Sequence, residues 1–199
     1  MGVLLFAHCF KCDEFAKPFK EDEDLLFIKS NTNLYSTKGH CHSNSHSKRN
    51  KGKPFDMIYV VGGWSKDDPS CPVEQFCPQY NEWKMTAPMI HQRSDPGVCA
   101  LRGVIYTVGG RDELGLSLST VEKYDPDTFR WSPVRAMNNK RFQVSLVQFD
   151  GFLLAIGGSD GVRDLKTMEA YDHETNSWRH FGSMKFKHPG GHVALVKAV

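Results

Sequence analysis

The stretch that decides the fold lies between Ile105 and Met137. It contains, in order, Ile105-Tyr106-Thr107-Val108-Gly109-Gly110, then Val121-Glu122-Lys123-Tyr124-Asp125-Pro126, then Trp131 and Met137. The same series occurs once before and once after this stretch. Its markers keep one spacing: Gly-Gly pairs at 62–63, 109–110 and 157–158 lie 47 and 48 residues apart, and Trp83, Trp131 and Trp178 lie 48 and 47 apart. Because separate markers share a register, the chain contains an internal repeat, which must be recognised before any motif is interpreted.

Each repeat predicts four short strands. An alternating apolar segment such as Gly97–Leu101 turns into the strand that ends in Gly-Gly. A polar loop leads to the Glu-x-aromatic strand, and a turn such as Asp125–Thr128 leads to the Trp strand. Asp-Pro turns are typical of tight hairpins. No stretch shows a sustained period of 3.6 residues with helix caps, so the sequence predicts an all-β fold.

The repeat markers are predicted to be structural. Paired glycines allow a positive φ and a close approach of backbones, and the Trp and Tyr rings are large enough to fill the space between neighbouring repeats. These markers are Gly62, Gly63, Glu74, Trp83, Gly109, Gly110, Glu122, Tyr124, Trp131, Gly157, Gly158, Glu169, Tyr171 and Trp178.

Composition and charge exclude several classes of protein. The 199 residues include 25 Lys and Arg against 23 Asp and Glu, a net charge of +2, so the basic excess typical of nucleic-acid and membrane-surface binding is missing. Apolar runs are far shorter than the roughly 20 residues of a membrane-spanning helix. With no recognisable signal peptide, the six cysteines are predicted to be free thiols and the location to be cytoplasmic.

A four-stranded unit of this length with Gly-Gly, Tyr and Trp markers resembles the kelch repeat, one blade of a β-propeller. The stretches 87–89, 106–112 and 121–126 are most similar to the kelch-like proteins. That resemblance implies a protein-protein interaction module like the substrate-recognition propeller of BTB-containing ubiquitin-ligase adaptors. Actin or cytoskeletal binding is the alternative it implies. No part of residues 1–56 resembles a BTB domain.

Two regions are predicted. Residues 1–54 form a low-complexity leader that we expect to be disordered, since the tract 36–53 has no means to bury a core. Residues 55–199 form a partial kelch propeller with repeats at about 57–103, 104–151 and 152–199. Three blades make an incomplete propeller, because propellers typically close with about four to eight. The segment Gly191–Val196 is predicted to be the first strand of a further blade, and exchange of such strands predicts a homodimer that completes the ring.

The resemblance also implies a ligand-binding face. In kelch-like receptors, the residue after Gly-Gly and polar residues shortly after the Met marker face the ligand. A face with basic residues, an aromatic ring and a serine predicts an acidic, extended peptide as partner. The corresponding residues here are Trp64, Arg93, Arg111, Arg141, Ser159 and Lys187.

Catalysis and metal binding are not predicted. The common catalytic motifs are absent from the sequence, so no catalytic residue, cofactor or enzyme activity is expected. Copper oxidases that resemble kelch propellers offer a remote alternative, an oxidase-like enzyme that would use Cys99, Tyr106 and His91. A zinc site could draw its ligands from Cys9, Cys12, His40, Cys41 and His42. Free thiols and solvated histidines are favoured over it, because the spacing between the two groups is long.

Overall fold

The computed structural model of the chain describes residues 56–63 and 73–196. These residues form eleven strands in three antiparallel sheets. Sheet 1 consists of β1 (Ile58–Val60), β2 (Glu74–Cys77) and β3 (Glu82–Met85), sheet 2 of β4 (Gly97–Leu101), β5 (Val104–Val108), β6 (Val121–Asp125) and β7 (Arg130–Val134), and sheet 3 of β8 (Ser145–Phe149), β9 (Phe152–Ile156), β10 (Thr167–Asp172) and β11 (Ser177–Ser183).

In each sheet, strands adjacent in sequence are hydrogen-bonded neighbours. The predicted all-β blades are therefore confirmed. The predicted leader 1–54 and the candidate zinc ligands lie outside the described residues, and the boundary at residue 54 stays a prediction. Sheet and sequence repeat are offset by one strand, because β4 lies within the first sequence repeat and pairs with β5 of the second.

Two tight hairpins set the register of the four-stranded sheets. Between β4 and β5, Arg102 and Gly103 have φ of 53° and 79°, and between β8 and β9, Asp150 and Gly151 have φ of 47° and 81°. Two successive positive φ values define a two-residue turn whose twist matches that of the paired strands. The local sequence thus fixes each hairpin, and the alternating apolar segments face the neighbouring sheets.

The hydrophobic core lies between the sheets. Tyr59 and Val61 of sheet 1 cluster with Val98, Tyr124 and Trp131 of sheet 2. A second cluster joins sheets 2 and 3 and contains Leu101, Tyr106, Val108, Val121, Met137, Val144, Leu153, Ala155, Tyr171 and Trp178. A blade of this kind buries its apolar faces only by stacking on its neighbours.

Sheet 1 departs from the predicted pattern at its tryptophan. Trp131 and Trp178 are only 9% and 8% exposed, whereas Trp83 is 54% exposed although it stacks on Phe76. Trp83 has the same strand position as the other two rings. Its predicted burial between blades is therefore wrong, because no described sheet lies against it.

The segment Gly191–Val196 is not a strand in this structure. Its residues are exposed and adopt no regular conformation, although the Ser145 hydroxyl donates to the Gly191 carbonyl. The predicted first strand is wrong, because a strand needs a paired neighbour and no described strand pairs with this segment.

Candidate functional site

The loops divide between two ends of the sheets. The Gly-Gly pairs follow β1, β5 and β9, so the loops 111–120 and 159–166 lie at one end with the segments that connect successive sheets. The short hairpin turns at 102–103, 126–129, 150–151 and 173–176 lie at the opposite end. Those of the predicted ligand-binding residues that the structure describes are all in loops of the first end, which we call the Gly-Gly end.

Arg93 is buried at the Gly-Gly end between sheets 1 and 2. Its side chain is 1% exposed, and Nη2 donates to Oε1 of Glu122 across 2.6 Å. Its Nη1 donates to the carbonyl oxygens of Gly109 and Thr120, each at 2.9 Å. A planar guanidinium group suits such a set of acceptors. Arg93 therefore joins the segment that follows sheet 1 to two strands of sheet 2.

Arg141 repeats this arrangement between sheets 2 and 3. Its Nε and Nη2 donate to Oε1 of Glu169 at 3.1 and 3.0 Å, and Nη1 donates to the carbonyl oxygens of Gly157 and Thr167 at 2.7 and 2.9 Å. Burial lowers the pKa of Arg93 and Arg141, and the facing carboxylates oppose that shift. The pairs Arg93–Glu122 and Arg141–Glu169 are equivalent parts of the repeat.

Each buried glutamate also accepts backbone hydrogen bonds from the preceding segment. Glu122 accepts from the N–H groups of Ile90 and His91 at 2.8 and 3.1 Å, and Glu169 from those of Asn138 and Asn139 at 2.7 and 3.2 Å. Burial alone would raise the pKa of Glu169, but the bonds from Asn139, Asn138 and Arg141 lower it overall. The carboxylate is thus held in its charged form.

A tryptophan completes each contact between sheets. Trp131 Nε1 donates to the Ala87 carbonyl, and Trp178 Nε1 donates to the Arg135 carbonyl, both at 2.8 Å. We call the set of arginine, glutamate, backbone and tryptophan hydrogen bonds the inter-sheet joint. Its glycines are part of it: a side chain at Gly109, where φ is +61°, would place Cβ only 2.0 Å from the Arg141 carbonyl oxygen.

The predicted contact of Arg93 and Arg141 with a ligand is therefore wrong. Both side chains are buried, and their Nη groups are hydrogen-bonded within the joints, so a ligand cannot reach them. The sequence contains a pattern that could have predicted this buried, structural role of the two arginines. Each arginine lies four residues after a Met marker and 29 or 28 residues before a repeat glutamate.

Arg111 lies partly exposed beside the joints. Its guanidinium carbon lies 3.5 Å from the centre of the Phe142 ring, and its backbone exchanges two hydrogen bonds with Ser94. Ser159 is buried, exchanges the same pair of bonds with Phe142, and donates its hydroxyl to the Arg163 carbonyl. Of these two predicted residues, Arg111 is partly exposed and Ser159 is buried.

The other two predicted residues do not join this group. Lys187 is exposed but lies three residues after Met184, not at the position that corresponds to Arg93 and Arg141, which His188 occupies. Trp64 lies outside the described residues.

Sequence reasoning missed Ser94 and Phe142, which the structure brings next to Arg111 and Ser159. They could have been found as the residue directly after each buried arginine.

Two loops at the Gly-Gly end present apolar side chains to solvent. The Asp112 carboxylate accepts from the N–H groups of Leu114 and Leu116, and the Asp160 carboxylate from those of Val162 and Arg163. These bonds shape the loop tips locally. Leu114 is 83% exposed and Val162 95% exposed, so both are available to a partner.

The three residues of the oxidase-like alternative do not form one site. Cys99 and Tyr106 are paired neighbours on β4 and β5, but His91 Nδ1 lies 2.9 Å from Glu122 in a joint. Burial raises the pKa of Cys99 to about 11. Within residues 56–63 and 73–196, no group of three His, Cys, Asp or Glu residues could hold a metal ion.

The three sheets and their repeated joints define the class of protein as a β-propeller-type array of blades. The residues 92–138 and 140–185 match the family model for the Kelch motif. The chain is a kelch-repeat protein that resembles the kelch-like family. The described residues contain no helix long and apolar enough to cross a membrane.

Individual relatives cover parts of the chain. It is 41% identical over 107 residues to Kelch-like ECH-associated protein 1A of Danio rerio, across 52% of this chain and 18% of that protein. It is 39% identical over 83 residues to Kelch-like protein 23 of Mus musculus, across 41% of this chain and 14% of that protein. The chain thus spans less than a fifth of the length of these relatives.

A solved structure shares the fold. The protein YjhT matches with a TM-score of 0.51 at 15% identity, across 58% of this chain and 46% of that one.

Proposed function

We propose that this protein recognises a partner protein through the loops at the Gly-Gly end of its blades. The observation that carries the proposal is Arg111, a partly exposed residue whose guanidinium group is held over the Phe142 ring. An arginine fixed by stacking loses little side-chain freedom on binding, and it can grip a carboxylate with two parallel hydrogen bonds. The partner would be an acidic, extended peptide segment.

The apolar loop tips add to this surface. Leu114 and Val162 lie in loops that follow the Gly-Gly pairs of sheets 2 and 3, and the Gly161 backbone lies close to Ser117 of the first loop. Loops on a rigid sheet scaffold commonly carry recognition. A segment with an apolar residue beside its acidic group would contact both loops and Arg111.

Within a cell, the proposed role is substrate recognition in the cytoplasm, as part of a ubiquitin-ligase adaptor. This role follows from the resemblance to kelch-like proteins. It requires association with a cullin, so the test is co-purification of a cullin with the full chain.

Actin binding is the competing proposal, and no contact among the described residues favours it. Sedimentation of the chain with actin filaments would support actin binding instead.

The recognition proposal is tested with arrayed acidic peptides and matched copies in which Asn and Gln replace Asp and Glu. The full chain should bind a subset of acidic peptides and lose the neutral copies. Arg111→Gln should weaken that binding by about 1.5–3 kcal/mol, the usual worth of a hydrogen bond to a charged group. Arg130→Gln is the matched control, because Arg130 is exposed at the opposite end. Equal binding by wild type and Arg111→Gln, with unchanged circular dichroism, would exclude this surface.

A further inference from the structure

The two inter-sheet joints differ in the hydrogen bonding of their arginines. In the second joint, between sheets 2 and 3, Arg141 Nε donates to Glu169 Oε1 at 3.1 Å and Nη2 donates to Thr167 Oγ1 at 2.9 Å. In the first joint, between sheets 1 and 2, Arg93 Nε has no hydrogen-bond partner among the described residues, although both Nη groups have one. The first joint therefore contains a buried donor that the second joint satisfies.

Two threonine hydroxyl groups lie beside this donor. Thr107 is 0% exposed, and neither its Oγ1 nor that of Thr120 has a partner in the part of the chain that the structure describes. Thr107 is paired with Glu122 across β5 and β6, so both side chains are on the face of sheet 2 that Arg93 contacts. The Thr120 carbonyl accepts from Arg93 Nη1 at 2.9 Å. The three unpaired polar atoms are therefore neighbours.

The difference between the joints coincides with one change of sequence. Thr120 and Thr167 are equivalent, since each lies two residues before the glutamate of its joint. Thr107 is replaced in the second joint by Ala155, which is paired with Glu169 as Thr107 is with Glu122. The first joint thus has one hydroxyl group more than the second. The repeat itself does not explain the unpaired atoms, because its other copy lacks them.

A single water molecule would satisfy all three atoms. Buried polar groups are nearly always hydrogen-bonded, either to protein or to ordered water. Arg93 Nε, Thr107 Oγ1 and Thr120 Oγ1 are not bonded to one another, so direct contact does not satisfy them. A buried water typically makes about three hydrogen bonds to such groups. An ion is disfavoured, because Arg93 and Glu122 already pair and a further charge would be buried alone.

We propose that the first joint holds a buried water molecule that accepts from Arg93 Nε and donates to the hydroxyl oxygens of Thr107 and Thr120. The boundary between sheets 1 and 2 is then partly water-mediated, whereas direct hydrogen bonds serve the corresponding atoms between sheets 2 and 3. This water site goes beyond the proposed function, because neither Arg111 nor the apolar loop tips take part in it.

The test uses nuclear magnetic resonance of the full chain, in which a long-lived buried water gives a cross-peak to protons next to it. The Nε proton of Arg93 should show this cross-peak, and that of Arg141, which faces Glu169, should not. The double variant Thr107→Val/Thr120→Val should lose it, since a buried water needs at least about two polar partners and only one would be left. Thr167→Val is the matched control and should keep the Arg93 cross-peak.

A high-resolution crystal structure of the wild type gives the position directly, and it decides the proposal even where the double variant does not fold. A water about 2.7–3.2 Å from all three atoms supports the proposal. A protein atom in that place, or a direct bond from Arg93 Nε to either threonine, overturns it. Equal water cross-peaks at Arg93 and Arg141, or none at Arg93, also overturn it. Peptide binding through Arg111 is measured separately and does not depend on these results.

Discussion

The guanidinium Nη2 of Arg93 lies 2.6 Å from Oε1 of Glu122, and both side chains are buried between two sheets. These residues are 29 positions apart, with Arg93 in the segment that connects sheets 1 and 2 and Glu122 on β6 of sheet 2. Arg141 and Glu169 repeat the relationship between the next two sheets. A buried, hydrogen-bonded ion pair therefore stabilises each of these two boundaries, in addition to apolar packing. A buried pair of this kind fixes how the sheets meet, because any other arrangement leaves a charge without a partner.

Breaking a joint should be costly. Arg141→Met removes the partner of the buried Glu169 carboxylate, which is expected to lower the free energy of unfolding by about 3–5 kcal/mol. Arg163→Met is the control, because the Arg163–Asp160 pair at 3.2 Å is largely exposed and should contribute less than about 1 kcal/mol. Urea unfolding followed by circular dichroism measures both. Equal losses for the two variants would contradict the structural role of Arg141.

The tryptophans should differ in their contribution to stability. Trp131→Ala is expected to cost about 3–5 kcal/mol, because the ring is buried and its Nε1 holds the Ala87 carbonyl. Trp83→Ala, at the same position on sheet 1, should cost clearly less, since that ring is 54% exposed. Urea denaturation of both variants compares the two losses. A shift below about 0.5 kcal/mol for Trp131→Ala would mean that its ring is not part of the core.

Acid should destabilise the fold partly through Glu169. The folded-state pKa of Glu169 is lowered, so its stabilising contribution is complete above the unfolded pKa of about 4.3 and is lost as the pH falls through the folded pKa. Between these values the unfolded chain binds more protons, and stability therefore rises with pH. Glu169→Gln should be less stable at neutral pH and lose less stability below pH ~4.3. If both proteins show the same pH dependence, Glu169 does not carry this effect.

Cys99 should resist alkylation in the folded protein. Burial raises its pKa to about 11, and the thiolate is the reactive form. Mass spectrometry of the peptide containing Cys99 should show little labelling by iodoacetamide at neutral pH, and full labelling after unfolding. A Cys99 that stays unlabelled in the unfolded chain would indicate a covalent link, such as the oxidase-like alternative requires with Tyr106.

The sequence determined the strands and their repeat. Gly97–Leu101 is a strand as predicted, and the predicted run Ile105–Val108 lies within β5. These features are local, since alternating apolar residues and the positive-φ turns at Arg102-Gly103 and Asp150-Gly151 act within a few residues. The fixed spacing of the repeated markers therefore predicted where each blade lies in the sequence and which strands within it are neighbours.

Only the tertiary structure decided what the loop residues do. Arg93 and Arg111 are both loop arginines near a Gly-Gly pair, yet the first is buried against Glu122 and the second stacks on Phe142 in partial contact with solvent. Their difference depends on partners 29 and 31 residues away, on another strand or loop. No local pattern records those distances. The desolvation of a charged group is set by which sheet packs over it, and that is known only once the blades are assembled.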